Sequence, residues 1–513
     1  MNNAARSGVA VALAVALVLG AWLRFEPVQG DFPLNDGGLF YLMTQELRDA
    51  RYVLPWFTAY NAAQIPFAYP PLAFYAAGLL ADASGAPLQE VVRLLPPLVS
   101  TLTLLAFYRL AAALLGPPMQ AALATLAFAL LPKAYLWFVM GGGLTRAPGM
   151  LFALLLLHQL HRVCTQPGWR PVTLASVFGA ATVLSHPENS WFAVQGGVLL
   201  LIACCRSRRA LRDAALVLGA VVLLSSPWWL TVVHRHGWTP FLAVAHSGGY
   251  EAFFSWQSIK TFRFTDERYL TLLAVLGLLG VFVSLAQRRF LLPLWLALIL
   301  ALNPRNGTTP AMVPLAMLIG LAAHRLIGHG MLRLPGNVAL PSQPVGGSRA
   351  PMLSMVAICL VLYSLLNARA TVASVGGLRA LSPDARHAMA WVRTHAPPDS
   401  RILVLDGAPW FGLDLHSEWF PVLARRASVA TVQGYEWLPG LEFKTRMERY
   451  AALSACRDDL GCMERWSSNH QLRFTHVFIA HDSCCGRLRD ALAASDRWRA
   501  VQQVGNYTVF QQR

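Results

Sequence analysis

Charged side chains are scarce in this chain of 513 residues: they make up 13% of it, whereas about 25% is usual for a soluble protein. Acids are the scarcer sign, with 26 Asp and Glu against 42 Lys and Arg. The deficit of charge excludes a water-soluble enzyme with one core. The 55% content of hydrophobic residues excludes a disordered or collagen-like chain. Long apolar runs extend to about residue 367, as in a multi-pass membrane protein.

The excess of basic residues is confined to the apolar part of the chain. Residues 1–377 hold 25 basic and 12 acidic side chains, whereas residues 378–513 hold 17 and 14. In the first part the arginines lie in short turns between apolar segments, which is typical of the cytoplasmic side of a membrane protein. This pattern predicts a cytoplasmic N terminus and no binding of nucleic acid.

About eleven apolar segments approach the roughly 20 residues that a helix needs to cross a bilayer. They lie at residues 7–24, 94–115, 119–138, 145–163, 172–187, 190–205, 213–233, 269–286, 290–303, 310–327 and 351–368. A shorter segment at 71–83 predicts an interfacial or re-entrant helix. Residues 25–93 then form a long first outer loop. Nearly all acids before residue 378 fall on the outer side, which predicts a working surface there.

The fold class predicted is a polytopic α-helical membrane domain, residues 1–377, followed by an extracytoplasmic soluble α/β domain, residues 378–513. In the second domain, Ser382-Pro383-Asp384 is typical of a helix start. We further expect strands at 401–405, 428–432 and 476–480, helices at 441–455 and 486–495, and a hairpin at 498–511.

Four of the eight cysteines lie in this second domain, where an oxidising compartment would allow disulfides. They are Cys456, Cys462, Cys484 and Cys485. Their spacing matches none of the usual zinc patterns, so disulfides are favoured over a zinc site. The sequence leaves the pairing open.

Asp36 is the most prominent acid of the first outer loop. It lies at the start of a predicted amphipathic surface helix, after Asn35 and before two glycines. An aspartate in this position can cap the helix, and it can also act as a general base. Local chemistry leaves both interpretations open.

A combination of features resembles a known family. These are a first apolar helix, an outer loop with an acid just before a surface helix, Tyr-Pro-Pro-Leu at 69–72 and Arg-Leu-Leu-Pro at 93–96. Together they resemble the GT-C superfamily of membrane glycosyltransferases. The similarity is to the bacterial branch related to protein mannosyltransferases and lipid A aminoarabinose transferases, many of which carry a soluble outer domain after the last helix.

The resemblance implies an inverting transfer of a sugar from a polyprenyl-phosphate carrier, with Asp36 as general base. The acceptor would be a glycan, a lipid or a protein at the outer face of the bacterial cytoplasmic (inner) membrane, among membrane lipids. Many relatives carry a second acid in the next outer loop, but residues 140–148 contain none. Metal assistance from that loop is therefore doubtful. The resemblance leaves the cofactor open, and the candidate is a divalent cation at Asp36 or Glu188.

The run of glycines at 141–143 suggests a close approach of the backbone to a ligand. For the donor phosphate we favour Arg305, with Arg146 and Lys133 as secondary candidates, because arginine matches phosphate geometry. An arginine that extends towards lipid headgroups is the ordinary alternative. Candidate contacts to substrate or acceptor are acids, a histidine and aromatic residues: Tyr69, His186, Glu188, Glu418, Trp419 and Glu436. Packing is the alternative for the aromatic residues.

Three other functions compete with glycosyl transfer. A polymerase or ligase of lipid-linked polysaccharide would usually have its large outer loop late in the chain. A transporter would place polar groups on broken helices at mid-membrane and often shows internal repeats, and none is evident here. A non-catalytic membrane scaffold is the third, because the second acid is missing.

Overall fold

The structure is a computed structural model that describes residues 3–247, 260–303, 307–329, 349–374, 380–481 and 484–513. The chain is mostly helical up to residue 374. These helices are α1 (Asn3–Phe25), α2 (Gly37–Asp49), α3 (Leu72–Ser84), α4 (Leu88–Leu115), α5 (Pro118–Leu130), α6 (Leu136–Val139), α7 (Gly143–Thr165), α8 (Trp169–Val183), α9 (Pro187–Cys204), α10 (Arg208–His236), α11 (Thr239–Ser247), α12 (Leu272–Ala286), α13 (Leu291–Leu302), α14 (Thr308–His329) and α15 (Arg349–Ser374).

Within the described residues, five helices are each long and apolar enough to cross a membrane: α1, α4, α10, α14 and α15. A sixth span results if α5 and the bent segment that follows it are counted as one. Every one of the eleven predicted apolar segments contains a helix, so their positions along the chain are confirmed. The number of membrane spans stays a prediction.

The predicted continuous helix at 119–138 is wrong in one respect. α5 ends at Leu130, and the segment Pro132–Val139 turns away from it by 88°. Leu131 has an extended backbone (ψ 114°), because a residue that precedes proline avoids the helical region. The bend carries residues 139–143 sideways, so that they lie against the first outer loop.

A buried arginine fixes the end of α1, where the first outer loop begins. Arg24 is fully buried, and its Nε donates to Ser100 Oγ of α4 at 3.0 Å. Its Nη1 donates to the backbone oxygen of Ala129 in α5 at 3.3 Å. A buried charge needs such partners, and here they tie three helices together at one level.

The C-terminal part contains a five-stranded mixed sheet. Its strands are β3 (Arg401–Leu405), β4 (Ala427–Ser428), β5 (His476–Ala480), β6 (Trp498–Val504) and β7 (Tyr507–Gln512), after the short outer-loop pair β1 (Phe57–Thr58) and β2 (Ile65–Pro66). The strand order is β4-β3-β5-β7-β6, with β3 parallel to β4 and β5. Its helices are α16 (Pro383–His395), α17 (Leu415–Leu423), α18 (Glu442–Cys456), α19 (Leu460–Asn469) and α20 (Gly486–Ala494). The predicted fold class, a helical membrane part with an α/β C-terminal part, is confirmed.

Most of the helices and strands predicted for the C-terminal part are confirmed. One predicted strand is shorter than expected, and two helices were not predicted. The strand expected at 428–432 pairs only through Ala427 and Ser428, although residues 429–432 are buried. The apolar residues after Val429 are therefore buried by side-chain packing, and they do not extend the pairing with β3. Helices α17 and α19 were not predicted, and α17 contains Pro421, which obscures a helical pattern.

The first outer loop and the C-terminal part share an extensive interface. Arg386 of α16 pairs with Asp31 at 2.5 Å, and the ring of Trp419 meets that of Phe32 at 4.8 Å. Asn61 exchanges two hydrogen bonds with the backbone of Ser428 in β4. The candidate site described below lies where this interface meets the N-terminal ends of α7 and α9.

Candidate active site

Asp36 is held in a turn that aims its side chain away from the helix it precedes. Asn35 and Asp36 both have left-handed backbones, with φ of 61° and 65°, which Asn and Asp tolerate better than most residues. Asp36 occupies the capping position of α2, but its side chain makes no capping hydrogen bond. The interpretation of Asp36 as a side-chain helix cap is therefore wrong.

The Asp36 carboxylate faces Arg146, in the first turn of α7. Arg146 Nη2 lies 3.0 Å from Asp36 Oδ2, and both side chains are 19% exposed. Arg146 Nη1 lies 3.4 Å from Asn35 Oδ1. The guanidinium also lies 5.5 Å from the ring centre of Trp137, a cation–π contact. A half-buried carboxylate and a guanidinium thus meet at the junction of two outer segments.

The glycine run explains how these two segments come so close. Gly141 N donates to Leu34 O at 2.6 Å, and Gly142 N donates to Asn35 O at 2.5 Å. A Cβ on Gly141 would overlap the backbone of Gly37. The predicted close approach of backbone to a ligand is thus an approach to the outer loop of the same chain, and it sets the distance between Asp36 and Arg146.

Tyr69, of the Tyr-Pro-Pro-Leu motif, closes one side of this junction. It is 8% exposed, and Thr145 Oγ1 donates to its hydroxyl at 3.4 Å. Its ring contacts those of Phe40 and Trp437 at 4.8 and 5.2 Å. Burial raises the pKa of the Tyr69 phenol, so it stays protonated and available as a donor at neutral pH.

The turn before α9 lies next to Tyr69. His186 precedes α9, is 5% exposed, and its ring lies 6.3 Å from that of Tyr69. Glu188 is in the first turn of α9. Asn189 Nδ2 donates to the backbone oxygen of Arg146 at 2.9 Å, which fixes α9 against α7. His186 and Tyr69 are thus brought together, as two of the predicted substrate contacts.

Glu436 lies beside Tyr69 at the edge of a cavity of about 350 Å³. The charge of Glu436 contributes to the raised pKa of Tyr69, behind burial and Asp36. The cavity is bordered by His246 of α11 and by Lys444 and Met447 of α18. Tyr69 itself does not line this cavity.

Glu418 and Trp419 lie in the unpredicted helix α17 and are both buried, at 0% and 1% exposure. Glu418 Oε1 accepts a hydrogen bond from Gly38 N at 2.9 Å. Trp419 Nε1 donates to Pro33 O at 3.0 Å. Neither side chain is open to an incoming acceptor, and both pack against the first outer loop.

The three candidate phosphate ligands have different surroundings. Arg146 is at the Asp36 junction, whereas Lys133 Nζ pairs with Asp266 Oδ2 at 3.1 Å. Arg305 lies outside the described residues, so its role stays a prediction. The sequence suggested Arg146 only for phosphate and gave no sign of its pairing with Asp36, because the two are 110 residues apart.

Among the described residues, Asp406, Asp414 and His416 could jointly hold a metal ion, because their ligand atoms lie within 4.8 Å of one another. The candidate ion at Asp36 or Glu188 stays a prediction. Each residue of this cluster has a protein partner: His416 Nδ1 meets Asp406 Oδ2 at 3.2 Å, and Tyr450 donates to Asp414 Oδ2 at 2.9 Å. Sequence analysis missed this cluster, although Asp406 directly follows β3.

The two aspartates of this cluster have pKa values shifted in opposite directions. The hydrogen bond and the charge of His416 lower the pKa of the Asp406 carboxyl, against the effect of its burial. Burial and the charge of Asp406 raise the pKa of Asp414 well above its usual range. At the loop after β3, Asp406 thus favours its ionised form and Asp414 its protonated form.

The structure pairs the four cysteines of the C-terminal part as Cys456 with Cys462 and Cys484 with Cys485. It also brings Cys164, in α7, next to Cys205, which follows α9. Cys204 and Cys359 are free. The pairing that the sequence left open is thus between cysteines that are close together along the chain.

Comparison with known proteins agrees with this architecture. A sequence model of the dolichyl-phosphate-mannose-protein mannosyltransferase family matches residues 68–230. ArnT from Cupriavidus metallidurans bound to undecaprenyl phosphate has a TM-score of 0.52 at 14% identity, over 98% of this chain and 97% of ArnT. The archaeal oligosaccharyltransferase AglB from Archaeoglobus fulgidus, in complex with an inhibitory peptide and a dolichol-phosphate, has a TM-score of 0.55 at 13% identity, over 92% of this chain and 69% of AglB.

The mycobacterial arabinofuranosyltransferase AftD has a TM-score of 0.54 at 18% identity; it covers 99% of this chain, which spans 40% of AftD. A sequence comparison with curated proteins gives no match. The fold is that of the GT-C membrane glycosyltransferases, and the predicted resemblance to the branch of ArnT and the protein mannosyltransferases is confirmed. With its apolar helices, this makes the chain a multi-pass membrane protein.

Proposed function

We propose that this protein is an inverting glycosyltransferase that moves a sugar from a polyprenyl-phosphate carrier to an acceptor. The observation that carries the proposal is the pair formed by Asp36 and Arg146, in which a carboxylate that does not cap its helix meets a guanidinium at 3.0 Å. Proteins of the same fold bind undecaprenyl phosphate and dolichol phosphate, which supports a polyprenyl-phosphate donor.

Asp36 is the general base of the proposed reaction. The acceptor hydroxyl attacks the anomeric carbon, and Asp36 takes its proton as the new bond forms. The bond between the anomeric carbon and the phosphate oxygen breaks, and its electron pair leaves with the phosphate. Because this is a single displacement, the configuration at the anomeric carbon inverts.

Arg146 has two functions in this scheme. Its pairing with Asp36 orients the carboxylate in the free enzyme. A guanidinium carries five N–H donors in a planar fork, so Arg146 can also bind the phosphate of the donor while it contacts Asp36. Stabilisation of the leaving phosphate is the larger electrostatic demand of the reaction. Arg305 remains the further candidate for this phosphate, and Lys133 is less suited because it pairs with Asp266.

A divalent cation fits the Asp36 junction poorly. Arg146 already places a positive charge next to the carboxylate, where it would repel a cation. Residues 140–148 contain no acid that could serve as a second ligand. The transfer at Asp36 therefore proceeds without a metal ion in this proposal.

The acceptor would enter beside Tyr69, His186 and Glu188. Tyr69 and His186 lie with their rings 6.3 Å apart, and the charge of Asp36 acts on Tyr69. Polar groups among aromatic faces suit the hydroxyls and rings of a sugar. A glycan, a lipid headgroup and a glycosylated protein all offer such a hydroxyl.

The reaction takes place at the outer face of the cytoplasmic membrane in this proposal. The arginine-rich turns favour a cytoplasmic N terminus, which puts the first outer loop and residues 378–513 outside. The interface between this loop and the C-terminal part supports the same side for both, because Arg386 pairs with Asp31.

The test is to incubate the purified protein with a panel of polyprenyl-phosphate sugars and an envelope extract as acceptor. Mass spectrometry should detect free carrier phosphate with at least one donor, and an Asp36→Asn protein should release far less. A transporter would move the donor across vesicles without breaking it. If the wild-type protein releases no carrier phosphate from any donor, the proposed function is wrong.

A further inference from the structure

The N terminus of α2 is capped from a distant part of the chain. Gly38 N donates to Glu418 Oε1 at 2.9 Å, across 380 residues of sequence. The backbone amides of Asn35 and Gly37 also point at this carboxyl group. The first amides of a helix lack partners within the helix, so a carboxyl group there stabilises them.

This cap replaces the one that Asp36 would normally supply. Asp36 is at the capping position, but its left-handed backbone turns its side chain towards Arg146. The Gly38 amide, which a side-chain cap at Asp36 could satisfy, is bound by Glu418 instead. Because Glu418 caps α2, the Asp36 carboxylate does not have to do so and can serve as the proposed base.

The contact leaves little room for Glu418 to move. A Cβ on Gly38 would lie 2.7 Å from the backbone oxygen of Glu418, so α2 and α17 touch through their backbones. Tyr60 donates its hydroxyl hydrogen to that same oxygen at 2.7 Å. The Glu418 side chain is fully buried, and among the described residues its Oε2 has no hydrogen-bond partner.

We propose that Glu418 is a positioning residue for the Asp36 base, which it serves by capping α2 from the C-terminal part. The proposal rests on the proposed function, because it assigns Glu418 a part in the same transfer reaction. Glu418 itself touches no reacting atom. It fixes the first turn of α2, and this turn fixes the direction of the Asp36 carboxylate.

The test compares Glu418→Gln with Glu418→Ala, and Glu448→Gln, on the exposed face of α18, is the control. Gln keeps the acceptor oxygen and carries no charge. We expect Glu418→Gln to stay within about threefold of wild-type kcat, because its amide oxygen can still accept from Gly38 N. Glu418→Ala should lower kcat at least about tenfold while KM for the donor changes little, since the base is displaced and the phosphate site is not.

A second measurement does not depend on activity. Hydrogen exchange followed by mass spectrometry should show amides at 37–40 exchanging at least about fivefold faster in Glu418→Ala than in wild type, with Glu418→Gln close to wild type. Unchanged exchange and unchanged kcat in Glu418→Ala would overturn the proposal. Faster exchange without transfer by the wild-type protein would instead refute the proposed function and leave the cap in place.

Discussion

Arg146 Nη2 lies 3.0 Å from Asp36 Oδ2, and this contact joins the start of α7 to the turn before α2. Three local features produce it: the left-handed backbone of Asp36, the missing side chains at 141–143, and the bend after Leu130. None of these features is needed to pack apolar helices together. Their convergence on one half-buried ion pair is what marks the junction as a site.

Replacing Asp36 by Asn should abolish most activity and leave the fold intact. Asn tolerates the left-handed backbone of this position, and no side-chain cap is lost because Asp36 makes none. The amide cannot accept a proton near neutral pH, so transfer should become at least ~100-fold slower. Carrier-phosphate release measures the rate, and donor binding should persist. Turnover near that of wild type would remove Asp36 as the base, and Glu188 would be the next acid to test.

Replacing Arg146 by Lys should show whether donor binding needs only the positive charge at this position or also the planar guanidinium. Lysine keeps the positive charge but loses the planar fork that can contact a carboxylate and a phosphate together. We expect kcat/KM for the donor to decrease at least about tenfold, with the protein still folded. Arg162→Gln is the matched control, because Arg162 lies at the far end of the same helix. Equal donor kinetics in the Lys variant and wild type would contradict the assignment.

The sequence predicted the outline of the fold because long apolar runs and helix caps are local signals. Ser382, for example, does accept a hydrogen bond from Ala385 N, as the Ser-Pro-Asp motif indicated. The hairpin at 498–511 was likewise visible from its Gly-Asn turn. Prediction was weaker where tertiary contacts decide the structure, as at residues 430–432, which are buried but do not continue the strand.

The candidate site was predicted only in part for the same reason. Asp36 and Arg146 were both singled out, but their contact depends on a backbone approach between segments 110 residues apart. Glu418 was expected at the acceptor, and its position under Gly38 could not be inferred because α17 itself was not predicted. Pairwise geometry between distant segments leaves no periodic signal in a single sequence.

Replacing Gly141 by Ala should move Asp36 away from Arg146, although Gly141 itself contributes no side chain to the site. The added methyl group would overlap the backbone of Gly37, so the two segments must move apart. Overpacking of this kind costs about 1–3 kcal/mol, and the shift should also lower transfer because Asp36 and Arg146 separate. Gly219→Ala is the control, since a Cβ there meets nothing within 4 Å. Thermal unfolding and carrier-phosphate release should both distinguish the two variants, and equal behaviour would refute the close approach.

The C-terminal part should contain at least one disulfide. Cys456 and Cys462 lie at the two ends of the short connection between α18 and α19, with Cα atoms 5.4 Å apart. Peptide mapping of non-reduced, alkylated protein should recover these two cysteines as one linked species. Cys204 and Cys359 should be alkylated in the same sample, as an internal control. If all four cysteines of the C-terminal part react freely, either their outer location or their pairing is wrong.

The pair formed by Asp406 and Asp414 should give the C-terminal part opposite responses to pH when each acid is neutralised. The lowered pKa of Asp406 means that its contribution to stability is present above the pKa of an unfolded aspartate, about 3.9, and is lost as the pH falls through the folded value. The raised pKa of Asp414 has the opposite sign: its contribution is complete at low pH and is lost as the pH rises through its folded value.

Asp414→Asn should therefore keep stability near neutral pH and reduce the loss at alkaline pH. The Asn side chain can still accept from Ser417 N through its oxygen, and its NH2 group can replace the proton that Asp414 shares with Asp406. Asp406→Asn should instead lower the free energy of unfolding by about 1–3 kcal/mol, because His416 loses its ionised partner. Thermal unfolding of the purified full chain, followed by tryptophan fluorescence between about pH 5 and pH 9, measures both. If the two variants have the same pH profile, the two carboxyl groups do not share one proton.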